Sequence, residues 1–233
     1  RHMGVELESF SGGVRLEGGQ ELHGKELEVP GDISSAAFFL VAALIVPDSE
    51  LLIKNVGMNP TRSGIVDILC SMGGDIQVLN ARHAAGEPVA DLLVRTSDLK
   101  GIDIGGDMVP RAIDEFPVLS VAAACAHGIT TIRDAAELRV KETDRIAAME
   151  AVLRTLGVEV DGHEDGMTIH GREVLRGGKV KSYGDHRIAM SAAVAGLRAR
   201  SAVEIEDTAC TATSFPSFWE LLKQTASPKS EAY

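Results

Sequence analysis

The stretch Val29–Val56, "VPGDISSAAFFLVAALIVPDSELLIKNV", sets the reading of the whole chain. A strand is expected to end at Val29, and Pro30-Gly31 reads as a turn. Asp32 or Ser34 can then cap a helix. From Ala36 to Val46 that helix is apolar nearly all round, which suits a buried position. Pro47-Asp48 ends it, and "LLIKNV" has strand composition. Next, "NPTRSGIVDILCSMGGDIQVL" gives a turn, Arg62 at a helix start, an amphipathic helix ending at Gly73-Gly74, and a strand. "ADLLVRT" adds a last strand. The order is strand, buried helix, strand, outer helix, strand, strand.

The same order returns twice. In the second copy "IDIGGD" is strand and turn, "DEFPVLSVAAACAHG" an apolar helix opened by Asp114-Glu115, and "TTIRDA" a strand. "RVKETDRIAAMEAVLRTLG" reads as the amphipathic helix, with "VEV" and "GMTIHG" as closing strands. The third copy runs "KVKSYGD", "HRIAMSAAVAGL", "AVEIED", "TSFPSFWELLKQ", and lacks the two closing strands. Landmarks recur about every 70 to 80 residues, longer than common solenoid periods. The expected units are 32–97, 101–172 and 178–224. They predict one α/β (α+β) lobe of three βαβαββ units with pseudo-threefold symmetry, apolar helices at the centre and an incomplete third unit. Residues 1–31 stand outside this plan. "RHM" reads as a cloning remnant. "GVELESFSGGVRLEGG" alternates like a hairpin around Gly12-Gly13 and belongs to whatever precedes the lobe. The tail "ASPKSEAY", 226–233, is expected to be mobile.

Composition excludes several functions. The formal charge is −11, which disfavours nucleic acid and anionic membranes as partners. Aromatic residues make up 4%, too few for base-stacking platforms. The longest apolar run, Ala36–Val46, is too short to span a bilayer. Cys70, Cys125 and Cys210 are odd in number and widely spaced, so neither a disulfide frame nor a metal knuckle is expected. Reduced thiols in a cytoplasmic protein are.

Against that acidic background, cations recur at helix entrances: Arg62 in "NPTRSG", Lys141 and Arg145 in "RVKETDRI", His186-Arg187 in "YGDHRIA". The positive end of the helix dipole disfavours them by tenths of a kcal/mol each, up to about one. Glu142, Asp144 and Asp185 lie beside them, so each cluster alone reads as a solvated salt-bridge patch. Their recurrence at equivalent points of a symmetric lobe changes the reading. Helices arranged around one axis would bring these entrances together as a local anion trap, for which forked arginines suit carboxylate and phosphate. Asp114 and Glu142 would then be two carboxylates set among cations, able to divide acid and base roles.

Taken in order, "VPGDISSAAFFLVAALIVP", "NPTR", "IDEFPVLSVAAA", "ELRVKETDRI", "DHRIAMS" and "TSFPSFWELL" resemble the 5-enolpyruvylshikimate-3-phosphate synthases, in the bacterial branch that includes glyphosate-tolerant members. The resemblance runs from about Gly4 to about Leu222. It implies two lobes, each an inside-out α/β barrel of three βαβαββ units, with this chain as the C-terminal lobe. It implies transfer of the enolpyruvyl group of phosphoenolpyruvate to the 5-hydroxyl of shikimate 3-phosphate through a tetrahedral ketal, with release of phosphate and without metal or organic cofactor. By resemblance, Asp114 accepts the 5-hydroxyl proton and contacts shikimate 3-phosphate. Lys141 contacts the same substrate, and Glu142 moves the proton at the phosphoenolpyruvate methylene. Arg145 and Arg187 hold phosphoenolpyruvate, and His186 adjoins them without an assigned role.

Two positions depart from many members: Thr213 stands where a lysine is common, and Glu137 where asparagine is common. Length departs further, because the family chain is nearly twice as long. The expectation is that this chain folds yet needs the N-terminal half for turnover. A UDP-N-acetylglucosamine enolpyruvyl transferase, a non-catalytic half that only docks with its partner lobe, and a plain three-repeat scaffold are the rival readings.

Overall fold

The computed structural model describes residues 2–172 and 174–226. Apart from Ala226, the expected mobile tail lies outside the described residues. Strands β1 (Leu7–Phe10) and β2 (Gly13–Leu16) form an antiparallel hairpin. Its turn places Gly12 at φ +81°, a conformation that glycine adopts without a Cβ penalty. The strand expected to end at Val29 is not formed. Val29 is 82% exposed, and no backbone among the described residues forms a strand with it. Pairing there shrinks to one parallel bridge between Gly31 and Val56.

Helix α1 (Ile33–Ile45) starts where Asp32 accepts a hydrogen bond from the Ser35 amide at 2.9 Å. Every residue of it except Ser35 is buried. It stops at Val46, ahead of Pro47. Strand β3 (Glu50–Gly57), helix α2 (Gly64–Ser71), and strands β4 (Asp75–Ala84) and β5 (Glu87–Arg95) follow. The strands pair antiparallel in the order β3-β5-β4.

The second set holds two surprises. After β6 (Asp103–Ile104) a short helix that was not expected, α3 (Met108–Ala112), precedes the expected one, α4 (Phe116–Ala124), which starts two residues later than Asp114. Asp114 therefore lies in the turn between them rather than in a helix. Following β7 (Ile129–Ile132), the segment Ala136–Val140 is a short 3-10 turn. Helix α5 is Arg145–Thr155, shorter than the expected helix from Arg139. Lys141 and Asp144 have extended backbones. Asp144 caps α5 by accepting from the Ala147 amide at 3.0 Å. Lys141 thus precedes the helix and does not oppose its dipole from within. Strands β8 (Glu159–His163) and β9 (Gly166–His170) complete a sheet ordered β6-β7-β9-β8.

The third set has β10 (Gly178–Lys181), α6 (His186–Gly196), β11 (Val203–Glu206), a 3-10 turn at Ala209–Thr213, and α7 (Phe218–Ala226). Parallel pairing of β10 with β11 repeats that of β6 with β7. The Gly31–Val56 bridge is the same pairing reduced to one residue pair.

Helices α1, α4 and α6 touch one another pairwise at the centre, with Leu40, Leu119 and Ile188 fully buried. Burial of such side chains stabilises by about 1.5–3 kcal/mol each. The first and third sets are also tied by aromatic rings: Phe38 and Phe39 of α1 meet Phe218 of α7 edge to face, with centroids 5.8 and 6.0 Å apart. The Trp219 indole N–H donates to the Thr211 hydroxyl at 2.9 Å. The three cysteines are free. No helix among the described residues is long and apolar enough to cross a membrane.

Candidate active site

The starts of α1, α4, α5 and α6 meet at one end of the helical core, and side-chain contacts document the meeting. At the start of α6, Asp185 Oδ1 accepts from the Arg187 amide at 2.8 Å, an ordinary N-cap bond. Its other oxygen accepts from Nε of Arg145 at 2.8 Å. Both side chains are buried, 0% and 1% exposed. Arg145, the first residue of α5, turns into the core and away from solvent. Its Nη2 donates to Glu142 at 2.7 Å and its Nη1 to Asp114 at 3.3 Å. One guanidinium thus engages three carboxylates, as a buried charge requires.

Asp114 is the hub. Beside Arg145, its carboxylate has Lys141 Nζ at 3.7 Å and Arg187 Nη2 at 3.5 Å. Arg187 Nη1 also donates to the Asp114 carbonyl at 3.1 Å. Burial pushes the Asp114 carboxyl up, but Arg187, Lys141 and Arg145 outweigh it and hold the group below the usual carboxylate range. Lys141 is shared with Glu137 at 3.8 Å. His186, half-buried at the start of α6, is pushed down by burial first and by Arg187 second, with Asp185 and Glu142 opposing.

Of the residues singled out by sequence, Asp114, Lys141, Glu142, Arg145 and Arg187 form one connected cluster. His186 sits within its field. Arg62 does not join them directly: its Nη2 donates to Ser34 Oγ at 2.9 Å and approaches Asp32 at 3.3 Å. Ser34 Oγ in turn donates to Glu115 Oε1. Glu115 is 3% exposed, lies 3.7 Å from Arg187 Nη1, and is pushed up chiefly by burial. Sequence reasoning gave Asp185 only the task of offsetting its neighbour Arg187, and gave Ser34 and Glu115 no site role. The "DHR" spacing does signal the Asp185 cap. Nothing local signals its partner Arg145, 40 residues earlier.

Chemically, Arg187 and Lys141, backed by the buried Arg145, can hold an anion by exchanging carboxylate contacts for it, while the half-exposed Asp114 and Glu142 stand beside it to move protons. Residues 1–222 match the family described as EPSP synthase (3-phosphoshikimate 1-carboxyvinyltransferase). The chain belongs to the EPSP synthase family. Among relatives in that family, the 3-phosphoshikimate 1-carboxyvinyltransferase of Geotalea uraniireducens is 63% identical over 98% of this chain and 53% of its own length. That of Geobacter sulfurreducens is 64% identical over 97% and 53%. The solved EPSP synthase of Acinetobacter baumannii superposes with a TM-score of 0.93 at 45% identity, covering 96% of this chain and 52% of that one. The enolpyruvyl transferase NikO from Streptomyces tendae, at 18% identity and a TM-score of 0.70, shares the fold. The chain spans about half the length of the curated relatives it matches.

Proposed function

We propose that this chain supplies one lobe of a 3-phosphoshikimate 1-carboxyvinyltransferase, joining phosphoenolpyruvate to the 5-hydroxyl of shikimate 3-phosphate and releasing phosphate. The observation that carries the reading is the convergence of Arg145, Arg187 and Lys141 on Asp114, with Glu142 bonded to Arg145. Three cations gathered at the helix starts can take an anion in exchange for part of their carboxylate contacts. Both substrates are anions.

In this reading Arg145 and Arg187 bind the carboxylate and phosphate of phosphoenolpyruvate, and Lys141 contacts shikimate 3-phosphate. His186 borders the donor site. Glu142 delivers a proton to the methylene carbon as the 5-oxygen attacks C2, and Asp114 takes the hydroxyl proton. The resulting ketal collapses when the methyl carbon returns a proton to Glu142 and phosphate leaves from C2, taking up the proton that Asp114 received. Before substrate arrives, the three cations hold Asp114 ionised, which also makes it a weak base. Once phosphoenolpyruvate draws Arg145 and Arg187, that hold loosens and Asp114 becomes more basic when it has a proton to accept.

The same reading takes 32–97, 101–172 and 178–224 as the repeated units, and 1–31 as the end of the preceding lobe with the crossover. It requires an N-terminal half to supply further anion contacts and to exclude water on closure. A cytoplasmic setting suits three free thiols, of which Cys125 is pushed by burial up to about 12 and is inert. The test is phosphate release by this chain combined with the N-terminal half of the Geobacter sulfurreducens relative. Shikimate 3-phosphate should serve as acceptor and UDP-N-acetylglucosamine should not. Arg187→Ala should lower kcat/KM for phosphoenolpyruvate by about 10²–10³-fold, chiefly by raising KM, as loss of an anion clamp does. Full turnover by this chain alone, or preference for the nucleotide sugar, would overturn the reading.

A further inference from the structure

Arg187 is the least constrained of the two arginines at the rim. Arg145 has all three nitrogens bonded to carboxylates. Among the described residues, the Arg187 guanidinium has one hydrogen bond, to the Asp114 carbonyl at 3.1 Å, and two looser ion contacts, to Asp114 at 3.5 Å and Glu115 at 3.7 Å. Arginine carries about 2 kcal/mol of side-chain rotamer entropy, so its aim depends on what flanks it.

On one flank Asp114 is shared with Lys141 and Arg145, so it is not Arg187's alone. The Glu115 side is fixed. Its carboxyl is 3% exposed and accepts from Ser34 Oγ, itself on a residue 3% exposed. The polarity of that contact is set: Ser34 Oγ accepts from Arg62 Nη2 at 2.9 Å, so its own hydrogen is free to donate to Glu115. The result is a polar strut from Arg62, ahead of α2, through Ser34 in α1 and Glu115 at the start of α4, to Arg187 in α6. It links all three repeats at the point where their helices start.

We propose that Glu115 is a positioning residue for the donor substrate: held by Ser34 and Arg62, it aims the Arg187 guanidinium for capture of the phosphoenolpyruvate anion. The inference rests on the functional reading above, which gives Arg187 to phosphoenolpyruvate. The bond from Ser34 needs only an oxygen at Glu115 Oε1, which an amide also supplies, while the contact with Arg187 at 3.7 Å also uses the charge, so glutamine keeps part of the function and alanine removes it.

The closing experiment uses this chain combined with the N-terminal half. Glu115→Ala raises KM for phosphoenolpyruvate about tenfold, as displacement of a clamp does, while KM for shikimate 3-phosphate and kcat stay within about twofold. Glu115→Gln restores part of the loss, and Ser34→Ala is milder than Glu115→Ala. A second readout needs no catalysis. Rotation of the Arg187 guanidinium about Nε–Cζ, followed by 15N NMR in this chain alone, quickens in Glu115→Ala, while that of Arg145 does not change. An unaltered phosphoenolpyruvate KM and unaltered rotation overturn the proposal, and so does a parallel loss in both substrates that glutamine does not rescue. Where alanine does not fold, glutamine and Ser34→Ala carry the same comparison. Arg187→Ala separates the two readings. If it leaves phosphoenolpyruvate KM unchanged, the assignment of Arg187 fails and the proposal falls with it; if it raises KM and Glu115→Ala does not, only the Glu115 proposal fails.

Discussion

Two entrances of the helical core use one local device and differ in depth. At α1, Asp32 caps the helix and meets Arg62 at 3.3 Å, with side chains 52% and 54% exposed. At α6, Asp185 caps the helix and meets Arg145 at 2.8 Å, with side chains 0% and 1% exposed. The spelling is alike, an Asp before a helix and an Arg to pair with it. Water makes the difference. An exposed pair is solvated with or without its partner and is worth about 0–1 kcal/mol. A buried guanidinium stripped of a partner has no water to replace it, at a cost of about 3–5 kcal/mol.

The strongest attempt to break this contrast is alanine at each cap. Asp185→Ala should lower the unfolding free energy by about 3–5 kcal/mol, since it orphans part of a buried Arg145 as well as removing the cap. Asp32→Ala should lower it by about 1 kcal/mol, the ordinary worth of an N-cap. Urea unfolding midpoints at a common slope would measure both. Equal losses would show that the Arg145–Asp185 pair is wetter than its geometry states.

A finer contrast lies in adjacent residues. Asp114 and Glu115 share a turn, yet their carboxyls are displaced in opposite directions. Burial raises Glu115 and wins there; at Asp114 burial is outweighed by Arg187, Lys141 and Arg145. Glu115, raised above its usual 4.5, contributes stability that is fully present below that value and is lost as pH rises through the folded value. Asp114, lowered below its usual 3.8, contributes stability that is present above that value and is lost as pH falls through the folded one. Glu115→Gln should therefore gain on the parent chain as pH rises above 4.5. Asp114→Asn should lose most above 3.8 and converge with the parent in stronger acid. The two difference curves, from unfolding at a series of pH values, should slope in opposite senses.

How much of this could be read from residues alone depends on reach. Periodicity exposed the three buried helices, because an apolar face all round has one physical solution in a protein of this size. It also narrowed the first cap to Asp32 or Ser34, of which Asp32 is the one formed, and found the strand after Pro47. It did not show that Val29 would lack a partner, since pairing depends on what lies beside it in space. The short helix Met108–Ala112 was missed because five residues with a proline in them carry no apolar period, and Asp114, expected to open the next helix, lies in the turn ahead of it. In the site, the cations were legible as exceptions to the helix dipole. Their partners were not. Asp185 reaches Arg145 across 40 residues and Ser34 reaches Glu115 across 81, and no local pattern carries separations of that kind.

The smallest effect sharpens the opening contrast most cleanly, because it changes solvent and leaves the cap in place. Arg62→Ala removes the exposed partner of Asp32 and the donor to Ser34. Its cost should be under about 1 kcal/mol in dilute buffer. At about 1 M salt the screening length falls to about 3 Å, comparable with the 3.3 Å separation of Arg62 and Asp32. The electrostatic part of the loss should then vanish, leaving only the Ser34 hydrogen bond. The same salt should hardly alter the loss from Asp185→Ala, because mobile ions do not reach a pair 0% and 1% exposed. Unfolding of the parent and both variants at low and high salt gives the comparison directly. A salt-dependent Asp185→Ala loss beside a salt-independent Arg62→Ala loss would invert the assignment of buried and exposed entrances.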